Sequence, residues 1–306
     1  MKWEADSKVL IQGITNPLGI SYAARMKAKG TNIVAGITLE EQTAEMDDIP
    51  IFTLVEEAVK QIGEIEISLI LTPPYEVLDA GLEAMAAGIK QLVIVTSRVP
   101  PLDLIALLEQ AQVTNTFVLG SGSEGLLVPD QFWLGIMEPD FYTAGQVGII
   151  SRCDRLMDEV ALNLTQAGLG QSLAISLGSD AVMGSNFEQW LQIMEEDETT
   201  EAIILLGQPY SSPELLAAEY IDSAIEKPVI AYLPGILAPM NRSFGDATSI
   251  IASQLSYQRG DKTRENPTIT ALKKAGVKIA NSVEEIPKLT KRIFSNQRRR
   301  SRTVNK

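Results

Sequence analysis

The sequence predicts an α/β protein of two domains, each a parallel sheet covered by helices on both faces. Three observations predict it. Short, continuously apolar runs alternate with longer amphipathic runs, and the alternation occurs twice. The first apolar run ends in a glycine-bounded turn, Gly13 to Gly19, that opens a helix. The length of 306 residues, with 45% hydrophobic and 21% charged content, suits two soluble cores.

Residues 8–13 read as a buried first strand. Residues 14–19 turn into a helix running to about residue 29, with Asn16 as N-cap and Pro17 at the first helical position. Further strands are expected at 32–36, 66–71, 91–96 and 116–120. Helices at 54–62, 77–87 and 102–111 lie between them. Residues 122–145, with Pro129, Trp133 and Pro139, read as an irregular connection. Strands at 146–150, 172–177, 202–206 and 228–232 then alternate with helices at 156–166, 187–195, 213–224 and 269–274. A last helix is expected at 284–294. The expected organisation is therefore a first domain over 1–121, a connection over 122–145, a second domain over 146–296 and a basic, disordered tail over 297–306.

Composition narrows the chemistry. The chain contains no histidine and one cysteine, Cys153. Serine–histidine and cysteine–histidine catalysis are excluded, and no metal site is expected. A single cysteine cannot build a disulfide framework, no apolar run is long enough for a membrane helix, and the N-terminus lacks a signal-peptide segment. These features favour a cytoplasmic protein. Formal charge is −13, but residues 288–306 carry eight bases and no acid, leaving 18 bases against 39 acids elsewhere, a net −21. An acidic body repels nucleic acid and anionic lipid. The basic tail, with Arg298, Arg299, Arg300 and Arg302, reads either as a solvated terminus or as a docking arm acting through charge.

Several pieces together resemble a known family. They are residues 9–15 (Val-Leu-Ile-Gln-Gly-Ile-Thr), 71–75 (Leu-Thr-Pro-Pro-Tyr) and 147–152 (Val-Gly-Ile-Ile-Ser-Arg). Residues 184–187 (Gly-Ser-Asn-Phe), 227–232 (Lys-Pro-Val-Ile-Ala-Tyr) and 274–277 (Lys-Ala-Gly-Val) complete the set. Their order and spacing resemble the α subunit of succinyl-CoA synthetase from about residue 7 to residue 293. The resemblance implies a Rossmann-like, CoA-binding-type first domain and a flavodoxin-like second domain. It also implies a partner, because the family α subunit works with a β subunit that brings an ATP-grasp site.

The working positions depart from the family pattern. The resemblance places a coenzyme A phosphate site at the turn after the first strand, with Gly13, Thr15, Asn16, Gly19, Asn32, Pro73 and Thr96 as its positions. Asn16, Pro17 and Leu18 replace the family's glycine, serine and glutamine, and Asn32 replaces a lysine. Pro17 has no N–H to offer. Residues 39–48 carry five acids where the family has a glycine-rich, lysine-bearing loop. Coenzyme A is therefore expected to bind weakly at most, and an ordinary turn with a solvated acidic loop is the competing reading.

Ser151, Cys153 and Asp154 occupy the family's phosphate-holding helix start, where Asp154 suits a cap and opposes a phosphate. Cys153 reads as a thiol of lowered pKa at a helix N-terminus, and with no histidine to activate it a nucleophilic role is not expected. Gln208 stands where the family orients its histidine with a glutamate. Asp246, after Gly245, stands where the family carries the phosphorylated histidine. Asp246 reads as an inert loop residue, a fixed phosphate mimic or an acyl-phosphate acceptor. The expected function is a catalytically degenerate α-subunit-like protein acting as an interaction, scaffold or regulatory subunit. A divergent acyl-CoA ligase α subunit and a coenzyme A or nucleotide sensor are the alternatives.

Overall fold

The computed structural model describes residues 6–38, 45–153, 155–209, 211–234 and 266–304, with side chains described as far as residue 297. Two seven-stranded sheets organise the chain. In the first, the parallel strands β1 (Val9–Gln12), β2 (Ile33–Ile37), β5 (Ile67–Ile70), β6 (Gln91–Ile94) and β7 (Phe117–Leu119) are joined by β3 (Glu45–Met46) and β4 (Ile49–Phe52). Their order is β3-β4-β2-β1-β5-β6-β7. Helices α1 (Pro17–Ala28), α2 (Val55–Ile62), α3 (Val77–Ala86) and α4 (Pro101–Thr114) connect them.

All four residues of β1 and of β5 are buried, as expected for parallel strands covered on both faces. The one polar residue of β1, Gln12, is satisfied inside: its Nε2 donates to Ala80 O at 3.0 Å, and it accepts from Ser68 Oγ at 2.8 Å. Pro101 opens α4, and Asn115, in the left-handed region, closes it.

The second sheet contains β10 (Ala144–Ser151), β11 (Gln171–Ser176), β12 (Ala202–Leu206), β13 (Val229–Tyr232) and β14 (Lys278–Ile279), all parallel. Helices α5 (Leu156–Gln166), α6 (Phe187–Glu196), α7 (Ser212–Ala224), α8 (Pro267–Lys274) and α9 (Ile286–Val304) accompany it.

Three sequence expectations are corrected. Residues 122–145 are not an irregular connection: β8 (Gly125–Val128) and β9 (Phe132–Gly135) form a hairpin that pairs antiparallel with β11 at the edge of the second sheet. Pro129 and Asp130 make its turn, Asp130 with φ 62°. Residues 45–52, expected to be partly acidic loop, form the β3–β4 hairpin, with Asp47 and Asp48 at positive φ and Lys27 Nζ donating to both of their carbonyls. The tail from residue 297 continues α9 as far as Val304 rather than being disordered. Ile286, Leu289, Ile293 and Phe294 seat the helix on the core, and extending an established helix through strong helix formers such as arginine costs little.

The two halves are joined through α1. Its Met26 and Ala23 belong to one apolar cluster with Leu126, Trp133 and Leu134 of the hairpin. Arg25 lies over the rings of Tyr22 and Trp133, 5.3 and 5.6 Å from their centroids, and its Nη2 donates to both carboxylate oxygens of Glu138. That hydrogen-bonded carboxylate raises the Arg25 pKa. Thr31 Oγ1 donates to Trp133 O at 2.5 Å.

Candidate functional site

The first candidate site lies where the order of the first sheet reverses, at the carboxyl ends of β1 and β5. Gly13, at φ 79°, turns the chain there. A Cβ on Gly13 would meet Asn16 Nδ2 and Thr72 N within 2.9 Å, and one on Gly19 would overlap the carbonyl of Ile14. Both positions thus require glycine. Asn16 occupies the N-cap position of α1, and Pro17 is its first residue, but the Asn16 side chain makes no cap bond. Its Nδ2 instead donates across the crevice to Leu71 O at 3.1 Å. Thr15 Oγ1 and Thr38 Oγ1 are 2.8 Å apart, and Thr96 Oγ1 donates to Thr72 O at 2.6 Å. Pro73 follows β5 on the same edge and is exposed.

The structure therefore gathers Gly13, Thr15, Asn16, Gly19, Pro73 and Thr96 at one sheet edge. Asn32 is not among them. It precedes β2, and its carbonyl accepts from Val9 N at the amino end of β1. Its side chain donates to Asp6 O. In a parallel pair that is the opposite edge, about 13 Å away along a four-residue strand.

Many main-chain donors of this turn are already engaged. Gly13 N and Ile14 N donate to Ile37 O, and Asn16 N to Gly13 O. Pro17 has none. Residues 39–44 of the acidic loop lie outside the described residues.

A loop of the second domain reaches the chain just after β6 and β7. Asp180, after β11, accepts from Ser121 Oγ at 2.6 Å and from Arg98 N at 2.9 Å. Arg98 sits at φ 61°, a conformation this carboxylate helps to hold.

The second candidate site joins the end of β10 to the loop after β12. Ser151 is buried, and its Oγ accepts from Cys153 N at 3.0 Å. Arg152 is buried, donates its N–H to Leu206 O at 2.8 Å and pairs with the fully buried Glu214 at 3.3 Å. Burying two charges is tolerated here because each has further partners: Arg152 Nη1 also reaches Ser211 Oγ, and Glu214 Oε1 accepts from Gln208 N at 2.7 Å. Gly207 leaves room for this acid, since a Cβ there would lie 2.7 Å from Glu214 Cγ.

Cys153 Sγ donates to Gly207 O at 3.4 Å, and Gln208 Nε2 donates to Arg152 O at 3.1 Å. The N-cap of α5 is Arg155, at φ 59°, rather than the expected Asp154. Its N–H donates to Glu124 Oε1 at 2.6 Å. Asp154 and Asp246, with everything from 235 to 265, lie outside the described residues.

Sequence reasoning missed Glu214, Asp180 and Asp158. Glu214 carried one signal, an acid in the first turn of a helix opened by Ser212 and Pro213. Asp158, in the first turn of α5, accepts from Tyr142 Oη at 2.8 Å and from Glu138 N. Burial raises its pKa despite those bonds. Burial first, and Asp158 second, push the Tyr142 hydroxyl well above its ordinary range.

Residues 4–98 match the family described as CoA binding domain, and residues 144–291 match the succinyl-CoA ligase like flavodoxin domain. The chain is 35% identical over 291 residues to the succinate–CoA ligase [ADP-forming] subunit alpha of Aquifex aeolicus, covering 94% of this chain and 93% of that one. It is 34% identical to subunit alpha 2 of Archaeoglobus fulgidus, covering 94% and 97%. This chain belongs to the succinate–CoA ligase α-subunit family.

Its first domain is Rossmann-like and of the CoA-binding type, and its second is flavodoxin-like. Among solved structures, the ATP citrate lyase of Methanothrix soehngenii, in complex with citrate and coenzyme A, superposes with TM-score 0.80 at 16% identity. The match covers 98% of this chain and 52% of that one. An acetyl-coenzyme A synthetase of Ca. Korarchaeum cryptofilum, with phosphate and ADP, gives TM-score 0.71 at 18% identity, covering 91% and 59%. This chain thus spans about half of those larger chains, and the likeness is one of fold. Among the described residues, no helix is long and apolar enough to cross a membrane.

Proposed function

We propose that this family member is a catalytically degenerate α subunit, acting as an interaction, scaffold or regulatory subunit. Its partner on this reading is an ATP-grasp β subunit or another assembly. The observation that carries it is the state of the loop before α5. The amides of Arg152, Cys153 and Arg155 are bonded to Leu206 O, Ser151 Oγ and Glu124 Oε1, so these three donors are engaged by the protein itself and are not free for a phosphate. The sequence supports the same reading: no histidine exists to carry a phosphoryl group, and Gln208 supplies an amide where the family supplies a carboxylate. The basic residues Arg298, Arg299, Arg300 and Arg302 serve, on this proposal, as a docking arm for an acidic partner surface.

The test is a coupled ligase assay of the purified chain with a β subunit of the family, succinate, coenzyme A and nucleoside triphosphate. The proposal expects no turnover above background. Turnover near that of an ordinary synthetase would favour the second reading, a divergent ligase α subunit using Asp246 or a direct acyl phosphate. The 35% identity over 94% of the chain keeps that reading in play. Calorimetry with coenzyme A separates a scaffold from a sensor. Weak binding at most is expected, and Asn32→Lys should not improve it, because Asn32 lies at the far edge of the sheet.

A further inference from the structure

Residues 151–153 are tied to residues 207–208 and to Ser211 and Glu214 at several points, and one tie depends on the chemistry of residue 208. Arg152 N continues the ladder onto Leu206 O, Arg152 Nη1 reaches Ser211 Oγ and Glu214, and Cys153 Sγ donates to Gly207 O. Gln208 is anchored from behind, its N–H on Glu214 Oε1 at 2.7 Å, and its Nε2 reaches forward to Arg152 O at 3.1 Å. A carbonyl oxygen can only accept, so the side chain that meets it must donate. A carboxylate of the same length would set acceptor against acceptor, close to the fully buried carboxylate of Glu214.

We propose that Gln208 is a positioning residue, a donor strut that holds these two loops shut, and that position 208 requires the amide rather than its length. A ligand donor that takes Arg152 O must displace this bond. The inference rests on geometry alone and holds whether or not the chain supports turnover.

The chain carries its own reporter, because Cys153 is its one cysteine, half-buried, with its sulfur on the carbonyl next to Gln208. The experiment measures labelling of Cys153 by excess iodoacetamide in the full-length wild type, Q208M and Q208E. Where opening precedes labelling, the rate follows the population of the open loop. Loss of one neutral hydrogen bond should speed labelling roughly five- to tenfold in Q208M, and Q208E should be faster still, because its carboxylate is left facing a carbonyl. The acceleration should persist unchanged in urea below about 1 M, as expected for local rather than global opening.

Rates for both variants within about twofold of wild type would overturn the strut. So would a wild-type rate in Q208E beside a fast Q208M, which would mean that length suffices. An acceleration that climbs with urea as global unfolding does would overturn it too. If Q208E fails to fold, Q208M decides alone.

Discussion

Asp158 shows how one buried group ties stability to pH. Burial favours its protonated form in the folded chain, although Tyr142 Oη and Glu138 N stabilise its charge. Its folded pKa is raised, so its contribution to stability is full below the ordinary carboxylate pKa and is lost as pH rises through the raised value. Asp158→Asn keeps an acceptor oxygen and cannot ionise. Melting temperatures of the two chains compared from pH 3.5 to 7 should therefore diverge upward from about pH 4, the variant gaining on the wild type, and then run parallel. A difference that stays constant over this range would refute the assignment. The candidate sites were legible at this scale where chemistry is local. The turn from Gly13 to Gly19 announces itself through its glycines, Asn16 and Pro17. Asn32 was misplaced because spacing along the chain does not say which end of a strand faces a site. Glu214 and Asp180 were missed because their partners, Arg152, Ser121 and Arg98, lie 62, 59 and 82 residues away.

The β8–β9 hairpin is one of the elements that fasten the two halves. Trp133 is 3% exposed, packs edge-on against Tyr22 of α1 and is roofed by Arg25. Trp133→Ala should cost about 3–5 kcal/mol in denaturant unfolding, the usual range for emptying a buried aromatic site. Arg25→Ala should cost about 1 kcal/mol or less, because its guanidinium and Glu138 are both partly in water. Equal costs for the two would show that the hairpin is held by charge and not by the ring. The parallel strands were legible because their apolar runs are unbroken. The hairpin was not, since each of its strands has four residues and Pro129 and Pro139 flank them as loop signals. The end of α9 was misread for a related reason: basic composition says that residues need no core, and says nothing against helix carried on from Phe294. Removing residues 297–306 should accordingly leave the melting temperature within about a degree or two. The same truncation should weaken any salt-sensitive partner binding, measured by titration at low and high salt.

At the scale of the whole molecule the question, on the proposed reading, is whether one residue separates this chain from a working ligase α subunit. If it does, Asp246→His would restore phosphorylation by a β subunit and nucleotide. We predict that it will not. A phosphoryl group brings nearly two negative charges and needs donors aimed at it before it arrives. At the loop before α5 three main-chain donors are already engaged: Arg152 N on Leu206 O, Cys153 N on Ser151 Oγ and Arg155 N on Glu124. A new histidine would also lack an orienting carboxylate, since Gln208 presents an amide whose Nε2 is committed to Arg152 O. Substituting Gln208→Glu as well creates a conflict, because the same change that supplies the acid removes a tie between the loops. Groups that act as a unit are not recovered by repairing one member. The measurement is to incubate Asp246→His with a β subunit and labelled nucleotide, then assay the chain for acid-labile, base-stable phosphate. Strong labelling of the single variant would mean that the loop opens readily and that the chain is one step from an enzyme. Labelling that appears only when Cys153→Ser, Asp154→Gly and Gln208→Glu accompany Asp246→His would locate the loss in the loops around the acceptor, not in the acceptor alone.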